Sequence, residues 1–150
     1  MLRARGFTLV ELMVVLLVIG LAGAAVALTL PSADDALAKE ADAFAARLGH
    51  ARDEAILGMR TVEVRVTADG YAFSRRRFDG WQPLDGRAFA GVDWAPGTQP
   101  RLPRRDAGVS FRFDPTGATT PQSLVLLREG RQAHVAVGGG GEVEIDGTAR

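Results

Sequence analysis

The sequence contains no cysteine and carries no net charge, with 18 basic and 18 acidic residues among its 150. Without cysteine the chain has no disulfide framework and no thiol chemistry. Balanced charge gives no overall electrostatic attraction to nucleic acid or to an anionic membrane surface. Disulfide-stapled and strongly basic classes of protein are therefore excluded.

Residues suited to catalysis or metal binding are also scarce. The two histidines, His50 and His134, have no partner at the spacing of a metal site. No Gly-x-Ser-x-Gly motif occurs, and the glycine run 138–141 lacks the following Lys and Ser or Thr of a phosphate loop. The sequence predicts no enzyme activity, no metal and no cofactor, with His50 on the surface of a helix.

A long apolar run near the beginning of the chain is its most distinctive feature. It spans the 24 residues from Phe7 to Leu30, and Glu11 is its only charged residue. A helix of that length rises about 36 Å, enough to cross a bilayer. Arg3 and Arg5 precede the run, so the positive-inside rule keeps the first residues in the cytoplasm and exports the rest. A carboxylate is costly inside such a segment, which marks Glu11 as a functional residue that needs a partner.

The residues Gly6-Phe7-Thr8-Leu9-Val10-Glu11, at the edge of this run, resemble the N-terminus of type IV pilins and type II secretion pseudopilins. The resemblance implies that a prepilin peptidase removes residues 1–6 by cleaving between Gly6 and Phe7, and then N-methylates Phe7. Because Gly6 has no side chain, an extended backbone can enter a protease cleft there. Glu11 matches the family glutamate, and its carboxylate can neutralise the new amino terminus of an adjacent helix. The alternative is an ordinary signal anchor whose Glu11 reaches the lipid headgroups.

Small residues in the second half of the run are candidates for helix packing. Gly20 with Ala24, and Gly23 with Ala27, have the four-residue spacing that lets helices approach closely. Glycine and alanine are also common in membrane helices that form no such contact, so both interpretations stay open.

A second helix is predicted over residues 31–58. Pro31 should kink or interrupt the helix, Ser32 can cap the new one, and Gly58 should end it. Its apolar residues recur at spacings of three and four and form one stripe: Leu37, Ala41, Phe44, Leu48, Ala51 and Ala55. This stripe needs a surface to cover.

From Thr61 onward the apolar period changes from 3.6 to 2, which indicates β-strands. Strands are predicted at 61–66, 71–73, 87–89, 109–113, 123–127, 132–137 and 143–145, with turns at 69–70, 80–84, 114–117, 129–130 and 138–141. Residues 90–106 contain three prolines and are predicted to form a long surface loop. The apolar face of the antiparallel sheet can pack on the helix stripe. The glycine run leaves the pairing of the last strand open.

The later sequence extends the resemblance over nearly the whole chain. Residues 113–117, two strands, a glycine-rich turn and a terminal strand are similar to the domain shared by H-type minor pseudopilins of type II secretion and some minor pilins of type IV pili. Residues 70–71 and 80–84 look closer to the secretion branch.

Arg75, Arg76 and Arg77 form a basic cluster that three arginines at 101, 104 and 105 can extend. Some minor pilins that resemble this domain bind DNA, and clustered arginines can contact phosphates. The domain is neutral overall and aspartates lie nearby in sequence. The favoured interpretation is a solvated edge strand whose charges prevent aggregation, and binding of nucleic acid is not expected.

Together these features predict an α+β pilin-like fold, with a long N-terminal helix, half transmembrane and half amphipathic, packed on an antiparallel β-sheet domain. The expected segments are a leader at 1–6, a membrane and filament-core helix at 7–30, an amphipathic helix at 31–58 and a periplasmic domain at 59–150. The resemblance implies a minor pseudopilin at or near the tip of a type II secretion pseudopilus. Its expected partners are other minor pseudopilins, the major pseudopilin, the prepilin peptidase and the inner-membrane assembly platform. The alternatives are a minor pilin of a type IV pilus and a single-span periplasmic binding protein.

Overall fold

The computed structural model describes residues 9–29, 33–104 and 108–149. The chain divides into two compact units, residues 1–32 and residues 33–150. The described residues of the first unit form helix α1, Leu9–Thr29, as predicted. The predictions for Gly6, Phe7, Pro31 and Ser32 lie outside the described residues.

The second unit begins with helix α2, Ala33–Leu57. The stripe predicted from its spacing is confirmed, because all six of its members are completely buried: Leu37, Ala41, Phe44, Leu48, Ala51 and Ala55. His50 is exposed on the opposite side, also as predicted. Burying an aromatic side chain such as that of Phe44 stabilises a fold by about 1.5–3 kcal/mol, so this stripe fixes which face of α2 meets the sheets.

The C-terminal end of α2 has the hydrogen bonds of a Schellman motif. The Arg60 N–H donates to the Ala55 carbonyl over 3.1 Å, and the Met59 N–H donates to the Ile56 carbonyl over 3.2 Å. The left-handed residue of the motif is Met59, with φ of 48°, and not the preceding Gly58. The helix ends where Gly58 predicts, but a methionine occupies the position that usually favours glycine.

Nine strands follow among the described residues. They are β1 Val62–Val66, β2 Gly70–Arg77, β3 Gly80–Pro83, β4 Val92–Asp93, β5 Gln99–Pro100, β6 Val109–Phe113, β7 Gln122–Arg128, β8 Arg131–Val137 and β9 Val143–Ala149. One antiparallel sheet has the order β3-β2-β1-β6, with β4 also paired to β2. The other has the order β5-β7-β8-β9. The sequence predicts one sheet where the structure has two.

The core lies between α2 and the two sheets. Helix α2 packs against β1 and β6 of the first sheet and against β7, β8 and β9 of the second. At its centre the Phe44 ring contacts Tyr71 and Trp94, with ring centroids 4.9 Å and 5.6 Å away in edge-to-face geometry. Such pairs add about 0.5–1.5 kcal/mol beyond burial, so Phe44 joins α2 to the first sheet.

The structure corrects three predictions between residues 80 and 106. Residues 80–83 form strand β3 and not a turn, because Trp81 and Gln82 pair with Arg76 and Arg75 of β2. Residues 87–89 form a short 3-10 helix and not a strand. The proposed surface loop contains β4, β5 and the buried Trp94, whose indole N–H donates to the Thr67 carbonyl over 3.1 Å.

The glycine run forms a tight turn against α2. Gly141 has φ of 79°, and a Cβ added to it would lie 2.1 Å from the Gly117 carbonyl oxygen and 2.8 Å from Cδ of Arg52. Only glycine fits this backbone conformation and this close approach. The turn directs β9 back along β8, and Val143 and Ile145 pair with Val137 and Val135. The last strand is therefore paired, and it is longer than predicted.

Candidate functional site

Helix α1 displays an apolar surface on every side. From Leu9 to Ala25 all its side chains are exposed, and Glu11 lies in its first turn. A helix that is apolar all round is ordinarily covered by other helices or by lipid. Among the described residues, none of the helices is both long and apolar enough for a membrane crossing.

The small residues predicted to pack helices lie on α1. A Cβ added to Gly20 or Gly23 would meet nothing within 4 Å, so the space beside both residues is open. Ala24 and Ala27 follow each glycine by four residues on the same helix. This arrangement leaves room for the close approach of another helix. The packing role remains a prediction.

The three consecutive arginines of β2 have different surroundings. Arg75 is half-buried, while Arg76 and Arg77 are exposed. Side chains alternate between the two faces of a strand, so the three do not form a single row. The strand is not an edge, because β2 lies between β1 and β3. Arg101 lies in another groove beside Asp69, and Arg105 is outside the described residues. The expectation that this cluster does not bind nucleic acid remains a prediction.

Trp81 organises two arginines on the outer face of the first sheet. The guanidinium carbons of Arg76 and Arg112 each lie 5.6 Å from the centroid of the Trp81 ring. Cation–π attraction of this kind is worth about 0.5–1 kcal/mol at exposed sites. The ring therefore restrains arginines from two different strands next to each other.

The same face contains a buried carboxylate that was not predicted from the sequence. Glu63 is 2% exposed and accepts a hydrogen bond from Nε of Arg112 over 2.8 Å. Arg65 lies 3.5 Å from its other carboxylate oxygen. Because side chains alternate along a strand, Glu63 is predicted to lie on the outer face of the sheet and to be exposed. The ion pair becomes visible only from the register, which places Arg112 beside Glu63.

A second carboxylate anchors the segment after β3 to α2. Glu40 accepts a hydrogen bond from the Ala95 N–H over 2.7 Å and another from the Thr98 hydroxyl. Arg47, nearly two turns along α2, donates to the carbonyls of Ala88 and Ala90 over 3.1 Å each. Together the two side chains fix the backbone that covers the aromatic core.

Tyr71 lies beneath this segment. Burial raises the pKa of Tyr71 above its ordinary value of 10.0, an effect that Arg47 opposes and Glu40 reinforces. Its phenol therefore stays neutral at physiological pH and acts as a core side chain.

A basic cleft lies beyond the C-terminal end of α2. It is open, has a volume of about 430 Å³, and is lined by Met59, Arg60, Thr61, Arg76, Arg77, Phe78 and Pro115. None of the described residues that line it is acidic. Arg76 and Arg77 belong to the cluster predicted from the sequence. The exposed Met59 and Phe78 were not predicted, because they lie outside the strands and give no periodic signal.

Within the described ranges, no group of three histidine, aspartate or glutamate side chains is arranged to hold a metal ion. His50 is exposed on α2, and His134 is half-buried on β8. The arrangement offers surfaces for contact and charge pairing.

An apolar N-terminal helix, followed in sequence by an amphipathic helix packed on antiparallel sheets, defines the pilin-like class of proteins. Residues 40–141 match the family model described as Type II transport protein GspH, and residues 1–27 match that of the prokaryotic N-terminal methylation motif. The type II secretion system protein H of Aeromonas hydrophila is 34% identical over 137 residues, covering 83% of this chain and 74% of that protein. The chain therefore belongs to the GspH family of type II transport proteins.

Solved structures share the fold. The minor pseudopilin EpsH from the type 2 secretion system of Vibrio cholerae superposes with a TM-score of 0.63 at 22% identity, covering 75% of this chain and 98% of that one. The type IV minor pilin FimU of Pseudomonas aeruginosa gives a TM-score of 0.56 at 15% identity, covering 73% and 92%. The predicted α+β pilin-like fold is confirmed.

Family membership decides between the two predicted filament systems. The function predicted from the sequence, that of a minor pseudopilin of type II secretion, is confirmed, and the type IV pilus alternative is not favoured. The family is a structural component of the secretion machinery, anchored in the membrane and facing the periplasm, and it assembles with other pseudopilins.

Proposed function

We propose that this chain is stored in the inner membrane as a prepilin and then built into the periplasmic pseudopilus, at or near its tip. The prepilin peptidase cleaves between Gly6 and Phe7 and methylates Phe7. The mature subunit then joins other minor pseudopilins and the major pseudopilin through the inner-membrane assembly platform. It supports the export of folded proteins across the outer membrane by assembly and not by catalysis.

The observation that carries this proposal is the combination of exposed apolar side chains and one carboxylate on α1. Every side chain from Leu9 to Ala25 is exposed, and Glu11 lies in the first turn. Lipid covers such a surface before assembly, and neighbouring helices cover it in the filament. The apolar sequence continues on both sides of α1, from Phe7 to Leu30, which supports a membrane span.

Glu11 has a specific task in this proposal. Cleavage leaves a cationic amine on Phe7 of every subunit, and the carboxylate of Glu11 pairs with the amine of a neighbour as the subunit leaves the bilayer. In an apolar medium this pairing is strongly favoured over two separate charges, so it also sets the axial register of the subunits.

The domain after residue 33 faces outward in the filament and selects neighbours. Gly20, Gly23, Ala24 and Ala27 supply the close-packed face of the helix. The energy that extracts the subunit comes from another component, because the sequence contains no phosphate-loop motif.

The experiment that tests the proposal compares exported hydrolases in the culture supernatant of wild type, a deletion of this chain and a complemented strain. Loss of hydrolases from the medium, with retention in the periplasm, supports the proposal. Normal export with lost surface pili or DNA uptake would instead indicate a type IV minor pilin. A mature chain that keeps residues 1–6 would point to a single-span periplasmic binding protein.

A variant separates assembly from membrane insertion. Glu11→Ala removes the carboxylate and is expected to leave insertion intact, while incorporation into cross-linked pseudopili falls by about tenfold. Leu12→Ala is the matched control, because it trims a neighbouring exposed side chain of α1 without changing charge. Equal incorporation of wild type and Glu11→Ala would contradict the pairing.

A further inference from the structure

The basic cleft differs from the remainder of this neutral chain in its charge. Arg60, Arg76 and Arg77 line it, and none of its described lining residues is acidic. A concave surface with charges of one sign attracts the opposite charge. The cleft is therefore electrostatically complementary to an acidic group.

Apolar side chains stand at the same place without cover. Phe78, at the turn between β2 and β3, is fully exposed, and Met59 is 79% exposed. Aromatic residues, methionine and arginine are the residue types enriched at protein interfaces. Basic and apolar groups together match a partner that presents both carboxylates and an apolar side chain.

The backbone at Met59 supports the same conclusion. Its φ of 48° lies in the left-handed region, where a side chain is unfavourable and glycine is usual. Strained residues of this kind cluster at ligand-binding and switch sites. Met59 holds this conformation although its apolar side chain is exposed to solvent. An exposed side chain contributes little to the fold of this chain.

Two of the arginines are held in place in the absence of a partner. The guanidinium of Arg76 stacks on Trp81, and Nη1 of Arg77 donates to Oε1 of Gln82 over 2.9 Å. Restraint of this kind reduces the entropy lost when a partner binds. The cleft thus presents preorganised donors.

We infer that the basic cleft is a docking site for an acidic segment of another protein, whose carboxylates pair with Arg60, Arg76 and Arg77 and whose apolar side chain packs on Met59 and Phe78. This inference deepens the proposed function and rests on it, since the partner meets the chain in an assembled pseudopilus. It adds the surface and the chemistry by which the domain selects that partner.

The observations favour a protein over a nucleic acid. The nearby Trp81 ring is already covered by the guanidiniums of Arg76 and Arg112. Phe78 is the one exposed aromatic ring among the described residues of the cleft. Binding of single strands uses successive aromatic rings along a basic groove.

Titration of the full chain in detergent micelles tests the inference. The probes are a fluorescent peptide of alternating glutamate and serine with one central leucine, the same peptide with serine in place of leucine, and a single-stranded oligonucleotide of equal charge. We expect the leucine peptide to bind most tightly. Tighter binding of the oligonucleotide, or equal binding of the two peptides, would overturn the inference.

Variants locate the binding. The double variant Arg76→Glu and Arg77→Glu is expected to lower the affinity for the leucine peptide by about tenfold or more. The pair Arg101→Glu and Arg104→Glu is the matched control, because it reverses two exposed arginines that do not line the cleft and should change binding little. Equal weakening by the control variant would mean attraction by overall charge and would contradict a docking site.

Met59→Gly keeps the test valid if charge reversal disturbs folding. Glycine suits the left-handed position, so the variant should fold at least as well as the original chain. Loss of the methionine side chain should lower the affinity for the leucine peptide several-fold. An unchanged affinity for the leucine peptide would show that Met59 does not contact it and would contradict the inference.

A cellular measurement separates the inference from the function on which it rests. If deletion of the chain abolishes export but Met59→Gly and the double arginine variant export normally, the docking site is wrong and the proposed function stands. If deletion leaves export normal, the proposed function fails first. We expect export to be lost with the deletion and reduced by both variants.

Discussion

At the scale of single residues, the outer face of the first sheet shows that one buried charge depends on an exposed one. The carboxylate of Glu63 is almost fully buried, whereas the side chain of Arg112 is 58% exposed. Removing Glu63 and removing Arg112 should therefore cost different amounts of stability. Only the loss of Arg112 leaves an uncompensated charge buried in the protein.

We therefore expect Arg112→Ala to lower the free energy of unfolding by about 2–4 kcal/mol, because it leaves Glu63 buried without its closest partner. Glu63→Gln should cost less, about 1–2 kcal/mol, since the remaining guanidinium is hydrated. Arg65→Ala is the control and should cost less than about 1 kcal/mol, because Arg65 lies 3.5 Å from the Glu63 carboxylate, whereas Arg112 lies at 2.8 Å. Urea unfolding of the full chain in micelles, followed by tryptophan fluorescence, measures all three. Equal losses in the three variants would contradict this ranking.

A second residue, Asp114, makes stability depend on acid. The Thr116 hydroxyl donates to Oδ1 of Asp114 over 2.6 Å, and this bond, with further backbone N–H donors, lowers the pKa of Asp114 below 3.8. A carboxyl group with a depressed folded-state pKa stabilises the fold above its unfolded-state pKa. That contribution is lost as the pH falls through the folded-state value.

We expect Thr116→Ala to lower stability at neutral pH and to have less effect below pH 3.8, because it removes the largest cause of the depressed pKa. Titration of Asp114 by carbon NMR should show a higher pKa in this variant. Thr120→Ala, an exposed position in the same connection between β6 and β7, is the control. If the stability loss from Thr116→Ala were the same at both pH values, the linkage to Asp114 would be refuted.

At the scale of elements, Glu40 joins α2 to the segment that covers the aromatic core. It bonds Ala95 and Thr98, which flank the turn after Trp94. Trp94 in turn packs on Tyr71, with ring centroids 5.0 Å apart. One carboxylate on α2 thus holds a proline-rich segment in a single conformation.

Glu40→Ala should release this segment and cost about 1–3 kcal/mol, because two donors lose their acceptor. Faster amide hydrogen exchange at Ala95 and a red-shifted tryptophan emission are the expected readouts. Asp42→Ala is the control, since Asp42 is exposed on the same helix. Unchanged exchange at Ala95 would show that packing of Trp94 alone holds the segment.

At the scale of the whole molecule, the chain combines a helix with exposed apolar side chains and a domain that buries its own core. Side chains of α1 are exposed from Leu9 to Ala25, whereas the stripe on α2 is completely buried. An exposed apolar helix such as α1 is ordinarily covered by other molecules, whereas the domain covers the stripe of α2 itself. This division matches a subunit that is assembled through its N-terminal end.

Gly6→Leu is expected to block processing, because a bulky side chain obstructs the extended backbone in the peptidase cleft. The purified chain should keep residues 1–6 by mass spectrometry, lack a methyl group on Phe7, and fail to restore export. Ala4→Leu places the same side chain two residues earlier without removing a charge, and serves as the control for a general effect on the leader. A Gly6→Leu chain that was processed normally would refute the predicted site.

The parts of this fold that sequence predicts are those with a local period. The stripe of α2 and the three valines of β1 repeat over enough residues to identify their elements. Strand β3 was wrongly predicted as a turn because its four residues are too few to show a period, although its partner β2 is close in sequence. The buried Trp94 was missed because a distant residue fixes its segment: Glu40 bonds Ala95 from 55 positions away. Alternation likewise predicts an exposed Glu63, which Arg112 buries from 49 positions away.

The pairing of β9 has a consequence for the timing of folding. Helix α2 is synthesised early, yet it packs against β8 and β9 at the opposite end of the chain. Its apolar stripe is therefore fully covered only after the last strand has emerged on the far side of the membrane. Contacts of such large sequence separation slow folding, so the domain completes its fold after translocation and not during it.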